Sequence, residues 1–386
     1  MPTSPENIAR FQALLAASDL LVVGAGLFGL TIAERAAAHG YRSLVIDRRP
    51  HIGGNAFSFR DPRTDIEVHK YGPHFFHTNS KEVFDYLSRF TEWVPYELRT
   101  WTTSGGKVYP LPINLATICL YAGQAMSPAQ ARQWVQDHAT LGKTPDNLEE
   151  KAISLIGRPL YEAFIRGYTM KQWQTDPTRL PPEIITRLPV RYTFDNRYFS
   201  DTYQYMPRHG YGAIFNRMVE TAHITVMTEV DWFDIRPHVP AIPIVYTGPI
   251  DRFFDYADGE LGWRTVDFIW EYHQGDYQGC PVMNYADESV PWTRTLDFRH
   301  MHPERDYGDT TIIAREYSRS ARRQDEPYYP INTEADKSVY DAYRRRASSR
   351  PDVVFGGRLG TYRYLDMHQA VGAALRCWQA EVAPRL

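Results

Sequence analysis

Three glycines set the first chemical constraint in this 386-residue chain: Gly24, Gly26 and Gly29 in Val-Gly-Ala-Gly-Leu-Phe-Gly. In this pattern Gly24 allows a tight strand-to-helix turn. Gly26 lets backbone N–H groups approach a diphosphate, and Gly29 lets the helix close on the sheet. The anion then rests on the positive end of a helix. Asp47, eighteen residues beyond Gly29, closes a second apolar run where a carboxylate can bind the ribose of an adenosine. Gly53-Gly54-Asn55 follows, and this second turn shifts the expected cofactor from NAD to FAD.

Other residues carry weaker signals. Tyr71-Gly-Pro-His74-Phe-Phe-His77-Thr78 holds two imidazoles three residues apart with no carboxylate at metal spacing, so no metal site is expected. His74, following Gly-Pro, is expected to face the cofactor, whereas His77 is as readily a packed core histidine. Phe164 and Tyr168 are four residues apart and share a face if the helix is regular. With Trp173 they could be core, or a lid that stacks on a base. Arg187, Arg191, Tyr192, Tyr198, Arg294, Tyr328, Tyr329 and Tyr364 supply forks and hydroxyls able to converge on phosphate oxygens.

The elements that would position these groups can be read from periodicity and turn signals. Leu20–Val23 is a strand, Thr31–His39 a helix ended by Gly40, and Lys81–Phe90 a second helix. Thr100–Tyr109 reads as a hairpin about Gly105-Gly106. Ser127-Pro-Ala-Gln130 is a capping box, and Asn147 opens another helix. Short runs such as Thr265–Tyr272 and Thr311–Glu316 suggest antiparallel strands. Ile242–Tyr246 and the run Gly356–Gly360 look like returns to the nucleotide domain. The expected fold class is α/β: an FAD-binding Rossmann-like domain (18–93, 199–258 and 331–386), an inserted helical domain with a mobile substrate lid (113–186), and an antiparallel β-sheet domain (94–112, 187–198 and 259–330).

Composition limits the partners. A net charge of −3 and 23% charged residues describe a globular protein with no general attraction for nucleic acid. Cys119, Cys280 and Cys377 are isolated, which suits a reducing cytoplasm. No export signal is recognisable. Val108–Ala131 lacks formal charge, but Pro110, Pro112, Gly123 and Pro128 argue against a membrane span.

Together, Tyr71–Thr78, Gly-Tyr-Thr-Met-Lys-Gln-Trp173, Leu-Pro-Val-Arg191, Glu-Pro-Tyr-Tyr-Pro330 and Gly-Arg-Leu-Gly-Thr-Tyr-Arg-Tyr-Leu-Asp-Met367 make the chain resemble the bacterial UDP-galactopyranose mutases over nearly its whole length. The resemblance implies an isomerase that interconverts UDP-galactopyranose and UDP-galactofuranose with no net redox change. Reduced flavin N5 attacks the anomeric carbon, the ring opens as a flavin iminium and recloses, and the product supplies galactofuranose for cell-surface glycans. It also implies an external reductant such as NAD(P)H or a reductase, and a homodimer.

By resemblance, Arg187 and Arg294 clamp the diphosphate with Tyr198, Tyr328 and Tyr364, while Phe164, Tyr168, Thr169, Trp173 and Asn284 meet the uridine end or its lid. His74, Arg187 and Arg294 are the residues expected to matter most for turnover. His74, Arg358, Asp366 and Met367 lie around the flavin, and Ala25, Phe28, Arg48 and Val230 complete the cofactor contacts begun by Gly24, Gly26, Gly29, Asp47, Gly54 and Asn55. Two positions depart from the family pattern: Tyr205, where a glycine is common, and Leu98, where many members carry asparagine. The rival readings are an FAD-dependent oxidase or desaturase on the same fold, and a flavin-free binding protein like the GDP-dissociation inhibitors.

Overall fold

Leu20–Val23 is buried at every position rather than at alternate ones, as a strand covered on both faces must be. It occupies the centre of a five-stranded sheet ordered Ile224–Met227, Ser43–Ile46, Leu20–Val23, Ile244–Tyr246, Val353–Phe355, and every pairing is parallel. Alternate side chains serve two different cores. Leu20, Val22, Val45 and Val245 pack with the helix Leu27–Ala38 and the late helix Met367–Cys377. Leu21, Leu44, Ile46 and Tyr246 pack with Phe11 and Leu15 of an N-terminal helix, Pro5–Leu15, and with Trp232 and Phe253. The computed structural model describes residues 3–140, 142, 144–185 and 189–386.

A second sheet of seven strands is ordered Tyr329–Pro330, Trp263–Gln274, Thr310–Ser320, Arg294–Asp297, Val282–Tyr285, Thr100–Ser104, Lys107–Leu111. It is antiparallel except that Val282–Tyr285 runs parallel to Thr100–Ser104. Such a pairing needs a long crossover, and the intervening chain supplies one. Ser104 faces Lys107 across Gly105 and Gly106, both at positive φ (55° and 75°), the two-residue turn whose twist matches the strands.

After the strand Lys107–Leu111 the chain forms helices Leu115–Ala122, Pro128–His138, Leu148–Ile156 and Gly167–Trp173, the first and last of which pack on the seven-stranded sheet. Ser127 Oγ accepts from the Gln130 N–H while the Gln130 side chain accepts from the Ser127 N–H, completing the capping box. The Asn147 side chain caps the next helix through the Glu150 N–H, 2.9 Å away. Among the described residues no helix is long and apolar enough to cross a membrane. The C-terminal return strand is Val353–Phe355; the glycine run after it forms the turn and short helix Gly357–Gly360. Gly357 takes φ 70°, a left-handed conformation that turns the chain out of the sheet.

Candidate active site

The glycine turn is built so that its side-chain-free positions do different work. Gly24 has φ 103°, and a Cβ there would sit 2.0 Å from Thr247 Oγ1; at Gly29 it would sit 2.0 Å from the Gly24 carbonyl oxygen. These two glycines are required by the fold itself. At Gly26 a Cβ would meet nothing nearer than the Gly54 Cα at 3.8 Å. Its openness faces the cleft. Gly26 is the N-cap of the 12-residue helix Leu27–Ala38 and provides no side-chain cap for the helix start, leaving that end suited to an anion. The Gly53 N–H donates to the Ala25 carbonyl at 2.7 Å, fastening the second glycine turn against the first.

Asp47, expected to bind a ribose, already has structural partners. Its Oδ2 accepts from the Ala25 N–H (2.8 Å) and its Oδ1 from the Arg49 N–H (2.9 Å), so it ties the end of one strand to the glycine turn. Ala25 is fully buried and contributes backbone to this tie rather than lining the cleft.

A cleft of about 1210 Å³ runs from this turn to the seven-stranded sheet, more than one drug-sized ligand usually needs. Of the residues expected at the cofactor, Gly24, Gly26, Phe28, Gly29, Asp47 and Arg48 line it at one end. Gly54, Asn55 and Val230 join them, and His74, Arg358, Asp366 and Met367 line it further along. Of those expected at the substrate, Tyr168, Trp173, Tyr198, Asn284, Arg294, Tyr328 and Tyr364 also line it. Arg187 lies outside the described residues.

Phe164 and Thr169 do not line the cleft. Phe164 packs edge-on to Tyr109 (4.9 Å) and Tyr121 (5.7 Å) in the helical core. The reason is a π-helical turn at Tyr161–Arg166, immediately before the helix Gly167–Trp173. Wider i→i+5 winding rotates the faces relative to an α-helix, so Phe164 turns inward while Tyr168 reaches the cleft. Of the two departures, Tyr205 is absorbed by ring contacts with Phe84 and Trp93, whereas Leu98 lines the cleft.

At the far wall, Arg294 Nε donates to Glu316 Oε2 at 2.7 Å; the Glu316 side chain is 1% exposed and that of Arg294 22%. The carboxylate holds the guanidinium in its charged form and aims it. Tyr168, Tyr198 and Tyr329 lie within its electrostatic reach, and the surrounding wall raises their hydroxyl pKa values, keeping them protonated donors. Tyr329 was among the hydroxyls that the sequence offered for phosphate, but the resemblance assigned the clamp to Tyr328 and not to it. It stacks on Tyr364 at 5.9 Å and senses Arg294, whereas Tyr328 senses Arg49. Neighbours along a strand point to opposite faces, which is the signal that separates the pair.

Arg49 was also missed; it pairs with Glu326 at 2.6 Å and lies over the Tyr71 ring at 4.3 Å. Arg358 donates to the Tyr328 carbonyl, and burial lowers its pKa to about 10. Asn284 Nδ2 donates to the Trp101 carbonyl at 2.9 Å, which fixes its amide at the cleft wall.

His74 and His77 both line the cleft. The backbone N–H of His74 donates to His69 Nδ1 at 3.0 Å, and its own Nδ1 is 2.9 Å from the Gly72 carbonyl. That carbonyl requires the Nδ1–H tautomer, and burial brings the His74 pKa down to about 4. His77 Nδ1 lies 2.6 Å from Asp201 Oδ2. Tertiary folding also brings Asp366 and His368 beside it, with potential ligand atoms within 4.8 Å of one another, a neighbourhood that local spacing did not reveal.

The buried imidazoles give a pH dependence. Burial lowers His74 and His302 to about 4 and His69 well below its usual value. As pH falls below about 6.5 the unfolded chain binds protons that the native state refuses. Their stability contribution is therefore complete above about pH 6.5 and is lost towards pH 4, with His74 alone contributing on the order of 3 kcal/mol. Urea unfolding at several pH values checks this; equal stability at pH 6.5 and 4.5 would show that these rings titrate normally.

Comparison with known proteins bears on this cleft. Residues 163–364 match the family model GLF, UDP-galactopyranose mutase. The chain is 40% identical to a probable UDP-galactopyranose mutase of Klebsiella pneumoniae over 93% of both proteins. It belongs to the UDP-galactopyranose mutase family. Residues 22–90 separately match an NAD(P)-binding Rossmann-like domain, and with family membership this implies a flavin cofactor. Another mutase-family relative, the dTDP-fucopyranose mutase of Escherichia coli, is 36% identical over 94% of this chain and 98% of its own. The crystal structure of a reduced UDP-galactopyranose mutase shares the fold, with a TM-score of 0.72 at 16% identity, covering 95% of this chain and 96% of that one. In this mutase-family chain the Arg294 wall and the glycine turn line one continuous cleft.

Proposed function

We propose that this protein interconverts UDP-galactopyranose and UDP-galactofuranose on FAD held reduced by an external reductant such as NAD(P)H or a reductase. Its product would supply galactofuranose to cell-surface glycans. The observation that carries the reading is the carboxylate-oriented Arg294, ringed by protonated tyrosines, in the same cleft as an open, uncapped glycine turn. When bound and reduced, FAD supplies a nucleophilic nitrogen for the anomeric carbon, allowing the sugar ring to open and reclose with no net redox change.

The chain's own residues bind, orient and shield. Gly26 and the start of Leu27–Ala38 receive the cofactor diphosphate, and Asp47 holds that turn in shape. Neutral His74 places an uncharged ring at the cleft, so it adds no cation that would compete with Arg294 for the substrate phosphates. Arg294 and the tyrosine hydroxyls stabilise the departing diphosphate and keep it close for return. Trp173 and Tyr168 provide the stacking surface for the base.

Trp173→Ala is therefore expected to raise KM roughly tenfold, about 1.4 kcal/mol of uniform binding, with kcat and flavin content little changed. Loss of flavin from the purified variant would assign Trp173 to the core instead. The reading itself is tested by incubating dithionite-reduced protein with UDP-galactofuranose and separating the products. Formation of UDP-galactopyranose without stoichiometric consumption of reductant supports it. Sustained oxygen uptake with an amine or polyene would favour the oxidase reading.

The 36% identity to a dTDP-fucopyranose mutase favours one second reading, a 6-deoxy sugar on a thymidine nucleotide. Parallel assays with both nucleotide sugars, compared by kcat/KM, decide between them.

A further inference from the structure

Two cations outside the cleft fasten the helix that carries Tyr168 and Trp173: half-buried Lys171 on the helix itself, and buried Arg264 on the sheet beneath it. Lys171 Nζ donates to three backbone carbonyls, those of Tyr285 (2.6 Å), Asp287 (2.9 Å) and Trp292 (3.1 Å). All three of its protons are used, and burial lowers its pKa to about 8. Arg264 is 1% exposed. Its Nε donates to the Gln172 carbonyl (3.1 Å), Nη1 to Gln174 Oε1 (3.3 Å) and Ser320 Oγ (2.8 Å), and Nη2 to Ser318 Oγ (3.2 Å). Ser318 Oγ donates to the same Gln172 carbonyl at 2.7 Å.

The two side chains grip different parts of the sheet. Lys171 reaches the connection between Val282–Tyr285 and Arg294–Asp297, and Arg264 projects from Trp263–Gln274 towards Thr310–Ser320. None of the hydrogen bonds described for Lys171 or Arg264 is to a carboxylate. Burying charge in this way costs stability that an apolar contact would not. What it provides is direction: each bond fixes one carbonyl or hydroxyl, where apolar packing would tolerate sliding. The chain leaves the helix through Gln174, at φ 49°, and the Arg264 guanidinium holds Gln172 and Gln174, the residues on either side of Trp173.

We infer that Lys171 and Arg264 are positioning residues for the nucleotide: they fix the helix Gly167–Trp173 on the sheet so that Tyr168 and Trp173 stand as a preformed wall before substrate arrives. This role rests on the nucleotide-sugar reading. Preorganisation improves affinity by removing the ordering cost of binding.

The test measures UDP affinity by calorimetry, and steady-state kinetics with reduced enzyme, for wild type, Lys171→Met, Arg264→Met and Gln174→Ala. The expected result is a UDP Kd and a KM raised about tenfold in each Met variant, and about threefold in Gln174→Ala, with kcat within about twofold of wild type. Flavin content and Tm are measured alongside; a merely structural role would lower these without the KM-against-kcat split. Wild-type UDP affinity in a folded Met variant overturns the inference. If the Met variants do not fold, Gln174→Ala decides: a raised Kd supports it and an unchanged one overturns it. Failure of the wild type to bind UDP would instead remove the nucleotide-sugar reading, and this role with it.

Discussion

Arg294→Ala is expected to lower kcat/KM by about 100-fold or more, on the order of 3 kcal/mol, while also lowering Tm. Two separate effects combine. The diphosphate loses a charge-assisted donor in a shielded cleft. Glu316, 1% exposed and bound to Arg294 Nε at 2.7 Å, is left as a buried carboxylate without its cation, a loss of about 3–5 kcal/mol. Thr293 Oγ1 lies 3.2 Å from Glu316 Oε1 and supplies only a neutral hydrogen bond.

The two effects can be separated. Arg294→Met combined with Glu316→Gln removes both charges and should recover most of the lost Tm without restoring turnover. Thermal melts and product separation on the same samples check this. Near-normal turnover by either variant would show that Arg294 is a structural cation and not a phosphate ligand.

The second large effect concerns the glycine turn, where two similar substitutions should fail differently. Gly26→Ala meets nothing closer than 3.8 Å within the protein, so the chain should fold. Its methyl group would occupy the path of the cofactor diphosphate and reduce FAD affinity by about 100-fold, or roughly 3 kcal/mol. Gly29→Ala puts a Cβ 2.0 Å from the Gly24 carbonyl oxygen and 3.1 Å from Val22 Cγ1. A backbone oxygen cannot swing aside as a side chain can, so the turn itself must open and the sheet should lose its packing. Circular dichroism and flavin absorbance distinguish the outcomes: a native spectrum without flavin for Gly26→Ala, and loss of native structure for Gly29→Ala. Normal flavin content in Gly26→Ala would place the diphosphate elsewhere.

The parts of the fold legible in the sequence are those governed by neighbours along the chain. The Ser127 capping box, the Gly105-Gly106 hairpin and the strand–turn–helix around Gly24 depend on hydrogen bonds and φ values within a few residues. The family motifs also lie in short contiguous runs. What remained hidden depends on contacts between distant segments. Local spacing gave no sign that Asp201, Asp366 and His368 would gather around His77, because they come from segments more than a hundred residues away.

Regular periodicity also misled where the backbone is irregular. Phe164 and Tyr168 share a face only in an α-helix, and the π-turn at Tyr161–Arg166 sends the first into the core and leaves the second at the cleft. Likewise, Tyr328 and Tyr329 are chemically identical in the sequence, and only the strand they enter decides which one faces Arg294.

By itself, then, the sequence determined the nucleotide-binding start, the family and the class of residues at the site, because backbone sterics and motif spacing are local. Tertiary structure alone decided the pairing of Arg294 with Glu316, the seating of Lys171 and Arg264 on backbone carbonyls and neutral side chains, and the side of the wall on which each aromatic ring stands. Those depend on strand register and helix winding, through which residues far apart in the chain share one shielded, low-dielectric space.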